Sequence, residues 1–172
     1  MKNKKIIYSG KNFSLFIGEK IIRAKKVKVE IIKYPHSVGI IPLMGKNKII
    51  LIKQYRFPLE KKIWEIPAGK ILKGESSLSG AKRELEEETG YRAKKWKKLI
   101  SFYMVPGYST EYMTLFLAQD LVFKGRKLDK DEFINNPRIF NLEKVKKMIK
   151  EGEIKDIKTI LSIFLLENEK LN

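Results

Sequence analysis

Residues 69–91 read GKILKGESSLSGAKRELEEETGY, and no other stretch limits the fold so tightly. A glycine-bounded loop leads to Ser76 or Ser77, either able to cap a helix. Leu78, Ala81 and Leu85 then follow at helical spacing, and Gly90 supplies a stop. Into five positions of that helix the chain puts Glu84, Glu86, Glu87 and Glu88. At about 100° per residue, Glu84, Glu87 and Glu88 span an arc of roughly 100° beside the apolar stripe, at the edge of the core. Glu86 points elsewhere, four residues after Lys82, and is expected to be its surface partner.

This crowding of like charge is unexpected in a basic chain. Lys and Arg number 37 against 20 Asp and Glu, a formal charge of +17. The pair Glu84 and Glu88, one turn apart, costs about 0.2–0.5 kcal/mol in repulsion. A hard divalent cation, Mg²⁺ or Mn²⁺, would offset it. Carboxylate oxygens suit such ions, and a chain with no Cys and one His has no cluster for softer metals. Arg83, four residues before Glu87, is placed to hold that carboxylate. On the residues alone, a solvated glutamate face remains an equal alternative.

Composition sets the remaining limits. With 172 residues and 43% hydrophobic content, the chain suits one globular domain, or a domain with a small appendage. No apolar run reaches the roughly 18–20 residues of a membrane span, and the N-terminus lacks a signal-peptide pattern. A cytoplasmic protein without membrane contact is expected. The lysines are scattered, with no Arg-rich arm or aromatic-basic repeat, so they read as a solvated surface and nucleic acid is not the expected partner.

Along the chain, alternation gives way to helical spacing. Residues 5–22 read as short strands with turns at Ser9-Gly10 and Gly18-Glu19, and Val27, Val29 and Ile31 share a strand face. VGIIPLM and KIILIKQYR form a hairpin about GKNK. IWEIPAGKI is a short apolar stretch turned by Pro67 and Gly69, EYMTLFLAQDL is a strand, and FKGRKLDKDEF is a polar loop. Asn141 caps a helix that carries Leu142, Val145, Met148 and Ile149 and stops at Gly152. Asp156 caps another, with Ile157, Ile160, Leu161, Phe164 and Leu165 as its apolar positions.

Gly69, Glu75, Arg83, Glu84, Leu85, Glu87, Glu88, Gly90 and Tyr91 together resemble the Nudix box, GX5EX7REUXEEXGU, with every fixed position present. The resemblance runs on through KYPHSVGIIPL, ILIKQYR, IWEIPAGKI, FYMVPGYSTE, FLAQDL, DEFI and GEIKDIKTILSIFLL, about residues 34–166. In that order these segments look like the ADP-ribose pyrophosphatase branch. Pro106, sixteen residues after Gly90, matches the downstream proline of that branch.

What the resemblance implies can be carried over by position. Glu84 and Glu88, helped by Glu87, would hold the metal with the backbone carbonyl of Ala68. Glu75 would support the loop-helix. Arg56 would contact the diphosphate or terminal ribose, Glu65 would also face the ligand, and Glu111 and Pro106 would belong to the substrate side. Glu132 in DEFI would be the catalytic base, acting with Glu87 and Arg83. Two departures stand out. Asn135, Asn136 and Pro137 follow DEFI where relatives keep acidic and apolar residues, so an edge or a bulge is expected there. His36 replaces a usual Gly, and its place at a strand entry argues for packing or capping rather than catalysis.

The expected fold is α/β, a Nudix α/β/α sandwich with a mixed central sheet (residues 35–172) and an N-terminal antiparallel β extension (residues 1–34) that mediates a homodimer. The implied activity is metal-dependent hydrolysis of ADP-ribose to AMP and ribose 5-phosphate. Its partner would be a small-molecule nucleoside diphosphate substrate. The alternatives are another nucleoside diphosphate sugar, a dinucleoside polyphosphate, or a non-catalytic nucleotide- or RNA-binding domain of the same fold.

Overall fold

The computed structural model describes residues 2–126 and 133–168. Ten strands and three helices follow in the order β1 (Lys2–Ser9), β2 (Ser14–Ile22), β3 (Lys25–Lys33), β4 (Ser37–Met44), β5 (Lys48–Arg56), β6 (Lys61–Glu65), β7 (Ala68–Lys70), α1 (Ser77–Thr89), β8 (Tyr91–Tyr103), β9 (Tyr112–Phe123), β10 (Arg138–Asn141), α2 (Leu142–Lys150) and α3 (Ile157–Asn168). They fall into two compact units. One comprises Met1–Ser37 and Ser101–Met113, the other Val38–Ile100 and Thr114–Asn172.

The first unit is built on an antiparallel sheet, β1-β2-β3. Strand β2 runs unbroken through Gly18 and Glu19, which pair with Val29 and Lys28, so the expected turn there is absent. The chain reverses instead at Arg23 and Ala24, both in the left-handed region (φ 47° and 61°), between the paired residues Ile22 and Lys25. Two positive φ values are what a tight hairpin with native twist requires. Val27, Val29 and Ile31 do share a face, opposite Lys20, Gly18 and Phe16. Residues 101–113 join this unit because Ile32 exchanges backbone hydrogen bonds with Tyr108 (2.8 Å) and Thr110 (3.0 Å). His36 packs its ring 5.2 Å from that of Tyr112, the packing role expected of it.

The second unit is a mixed sheet ordered β10-β5-β4-β9-β8, with β6 added to β5 and β7 to β4. The β4–β5 hairpin turns at Gly45 (φ 63°) as its GKNK signature predicts. Its residues Val38, Ile40, Ile49, Ile50 and Leu51 are wholly buried, which is why both strands read as continuous apolar runs. Strand β10 is an edge. Between the bridge Gln54–Ile134 and the pair Leu51–Arg138, four steps on one chain face three on the other, so Asn135–Pro137 form the expected bulge.

Two helix faces differ from expectation. Leu78 is exposed, leaving Ala81 and Leu85 to anchor α1 against Val38, Ile40, Phe116 and Ala118. Helix α3 buries Lys158, Thr159, Ser162, Ile163 and Leu166, while Ile157 (57% exposed) and Phe164 (59%) face outward. It is turned about one residue from the docking its apolar positions favour. The cause is an ion network at its N-terminus.

Candidate active site

Ser76 starts α1 by accepting the backbone N–H of Ser79 on its hydroxyl at 3.1 Å, and Gly90 (φ 78°) ends it by returning its own N–H to Glu86 at 2.8 Å. With Ala81 and Leu85 wholly buried, the neighbouring positions are carried down to the edge of the core. Glu84 is 5% exposed and Glu88 1%. Glu87 is more open. Glu86 points away as expected but pairs with Arg92 through two bonds of 2.7 Å, not with Lys82.

Arg83 gathers the carboxylates. Its Nε and Nη2 each donate to Glu75 at 3.1 Å, its Nη1 donates to Glu84 and to Glu87 at 2.8 Å, and Nη2 also reaches the carbonyl of Lys70 at 2.9 Å. Burial works against its charge, but the hydrogen bonds it donates to Glu75 and the charge of Glu84 outweigh burial and raise its pKa far above the ordinary value. The guanidinium holds Glu75 below the usual carboxylate range. The backbone N–H of Leu72 adds to this through a 2.9 Å bond. One fixed cation therefore faces three carboxylates, a net excess of negative charge at the helix edge.

Strand β7 supplies the opposite wall. The N–H of Ala68 donates to Oε2 of Glu88 at 2.9 Å. At Gly69 the backbone comes so near that an added Cβ would lie 2.0 Å from the Cδ and Oε1 of Glu84. The donor set is thus all oxygen, on a helix edge pressed against a backbone strand, and fits a hard divalent cation. Among the described residues, no three His, Asp or Glu side chains converge closely enough to hold a metal by themselves. Two buried carboxylates with further oxygens from backbone, water or substrate suit such a cation.

A second cluster surrounds Glu65, which is 1% exposed. Arg56 grips it through Nε (2.7 Å) and Nη2 (2.5 Å), and Lys158, 5% exposed, donates to its Oε2. Lys158 also reaches Asp156 at 2.7 Å. The other carboxylate oxygen of Asp156 caps α3 by accepting the N–H (3.0 Å) and hydroxyl (2.6 Å) of Thr159. Burial pushes the Glu65 carboxyl up, but the Arg56 hydrogen bond and the Lys158 charge outweigh it and hold the group below the usual range. Arg56 is raised despite burial, chiefly by Glu65, with a contribution from the charge of Glu88. The two clusters are within electrostatic reach.

The structure therefore brings Arg83, Glu84 and Glu87 together, sets Glu88 on Ala68, and joins Arg56 to Glu65. Glu65, expected to face a ligand, has both oxygens engaged by protein cations. Glu111 lies in the first unit, where its carbonyl accepts the N–H of Met104 (3.0 Å); Pro106 is in the same loop. Glu132 lies outside the described residues. Sequence reading missed Lys158 and Thr159. Asp156 was legible as a cap, but a lysine reads as surface by type.

A domain-family model described as NUDIX domain matches residues 33–161. The chain is 42% identical over 167 residues to the ADP-ribose pyrophosphatase of Bacillus subtilis (strain 168), covering 95% of this chain and 90% of that protein. It is 40% identical over 164 residues to the methanol dehydrogenase activator of Bacillus methanolicus, covering 94% and 88%. A crystal structure of an ADP compounds hydrolase shares the fold with a TM-score of 0.84 at 23% identity, over 96% of this chain and 90% of that one.

Proposed function

The chain belongs to the Nudix family, and from that premise we propose that it hydrolyses the diphosphate linkage of ADP-ribose to AMP and ribose 5-phosphate. The observation that carries this reading is the pair of buried carboxylates, Glu84 and Glu88, set against a strand so close at Gly69 that a Cβ there would displace the Glu84 carboxylate. Likeness to an ADP-ribose pyrophosphatase along almost the whole chain supports the nucleotide class.

Nudix hydrolases are in general divalent-metal dependent. In this reading Glu84, Glu88, Glu87 and the carbonyl of Ala68 would hold Mg²⁺, or Mn²⁺ in its place. When bound it neutralises diphosphate charge and acidifies a water. The protein's own groups do the rest. Arg83 keeps Glu84 and Glu87 fixed, so their charge needs no rearrangement during the reaction. Arg56 offers its guanidinium to the diphosphate. Water attacks one phosphorus, its proton passes to Glu132, and the bridging oxygen leaves with the other phosphate. Support for Glu132 is the resemblance of DEFI to the loop segment that carries the base in this branch. Glu132→Gln should lower kcat by about 10²–10⁴ with a smaller change in KM; a loss below about threefold would exclude the role. Glu111 and Pro106 are assigned to the substrate side, where Glu111→Ala should raise KM for ADP-ribose, and an unchanged KM would remove it from that role.

Residues 1–34 are proposed as the contact of a homodimer, supported by exposed Ile6, Tyr8, Ile17, Ile21 and Ile22 on the first sheet. The cytoplasm is the proposed compartment, to be checked by cell fractionation. No helix among the described residues is long and apolar enough to cross a membrane. A hydrolysis screen across ADP-ribose, other nucleoside diphosphate sugars and dinucleoside polyphosphates, with products identified, tests the function. Preferred cleavage of ADP-ribose to AMP and ribose 5-phosphate is expected, and inactivity on ADP-ribose would overturn it.

A further inference from the structure

We infer that Lys158 is a positioning residue: paired with Asp156, it holds Arg56, through Glu65, where the reaction needs it. This rests on the reading of Arg56 as the diphosphate contact.

The network has a cost that packing alone does not explain. A lysine and a glutamate removed from water are tolerated only with good partners. Here Glu65 receives Arg56 and Lys158, and Lys158 is shared between Glu65 and Asp156, so two cations and two anions balance. To achieve this, α3 buries Lys158, Thr159 and Ser162 and turns Ile157 and Phe164 to solvent. Ile163 and Leu166 supply the apolar part of this docking, with Lys158 buried on the same side of the helix.

Its geometry points toward the site. Glu65 presents both oxygens to the Arg56 fork, a planar bidentate pairing that fixes the guanidinium in direction as well as place. Lys158 on the Glu65 Oε2 prevents that carboxylate from swinging and taking Arg56 with it. The next residue acts on the backbone. Pro67 has no N–H, so the amides on either side are the handles of this turn. The Ile66 N–H is taken by Thr159 Oγ1 at 2.9 Å and the Ala68 N–H by Glu88 at 2.9 Å. Helix α3 thus holds this turn at Ile66 and α1 holds it at Ala68, while the Pro67 carbonyl between them accepts the N–H of Ile40 at 2.9 Å.

The test is a double-mutant cycle on the full chain with ADP-ribose and saturating Mg²⁺. Lys158→Met should lower kcat/KM by about 10–100-fold, the range for groups that orient a ligand-binding residue, and Arg56→Ala by at least as much. In the double variant the loss should match Arg56→Ala alone within about threefold, because nothing is left to position. A merely structural lysine would give losses that multiply, with thermal midpoints falling in step, and that outcome overturns the proposal. So does Lys158→Met at the wild-type rate while Arg56→Ala is impaired. Wild-type kcat/KM in Arg56→Ala would instead overturn the reading of Arg56, and this proposal with it. Should Lys158→Met fail to fold, Asp156→Asn keeps the side-chain shape and removes one of the charges holding Lys158. The same non-additivity with Arg56→Ala is expected, and multiplied losses again overturn the role.

Discussion

The Ala68 N–H and the Glu88 carboxylate lie 2.9 Å apart, so β7 is pinned to α1 by one of the groups assigned to the cation. Fold and chemistry share this contact, and substitutions must be chosen to separate them.

An amide at position 88 can still accept the Ala68 N–H but carries no charge. Glu88→Gln and Glu84→Gln should each reduce Mg²⁺-dependent hydrolysis by roughly 100-fold or more. Circular dichroism should be unchanged, and the metal-free melting temperature should stay within a few degrees because repulsion worth only about 0.2–0.5 kcal/mol is relieved. Wild-type turnover in either variant would remove the metal-site reading.

Gly69→Ala would place a methyl 2.0 Å from the Glu84 carboxylate. The obstructing atoms are the tip of a side chain, so Glu84 moves before the strand does. Activity should fall roughly 10–100-fold, since a displacement of about 1 Å is enough, with little loss of stability. Full activity would mean that the backbone approach does not set the position of Glu84.

Acid should weaken the protein through Glu65. Its folded pKa lies below the ordinary value near 4.5, so the associated stability is complete above about pH 4.5 and is lost as pH falls through the folded pKa. Thermal unfolding followed from pH 7 to pH 3 should show this loss. Glu65→Gln should begin less stable and change less over the acid range; an identical slope in both proteins would contradict the assignment.

The first sheet shows apolar side chains on both faces, and successive residues of a strand point to opposite sides. Ile21→Lys combined with Ile22→Lys therefore charges both faces at once. Light scattering should report a dimer for the parent chain and a shift toward monomer for the variant. A parent chain that is monomeric and active at low concentration would end the dimer proposal.

What was legible in the sequence was local. Ser76, Ala81, Leu85 and Gly90 state the span and buried side of α1 within fifteen residues, and Glu87 lies one turn from Arg83. The link from Glu65 to Lys158 crosses 93 residues, and no periodicity reports such a pairing. The attachment of residues 101–113 to β3 is equally remote. Gly18 misled for another reason: glycine weakens a strand without having to end it, and two hydrogen-bonded neighbours keep it extended. Glu75 came to Arg83 by way of a loop whose path the spacing left undetermined.

The outward Phe164 and Ile157 have a consequence for how the chain reaches its native state. Hydrophobic pattern favours one seating of α3 and the charges at its start enforce another, a local conflict in an otherwise consistent landscape. The competing seating is excluded only while Glu65 remains ionised. On acidification α3, held at its start through Glu65, should therefore release before α1, which keeps the buried contacts of Ala81 and Leu85 while its own carboxylates protonate. Amide hydrogen exchange resolved by segment would reveal that order, and simultaneous release of both helices would show that the conflict is too small to matter.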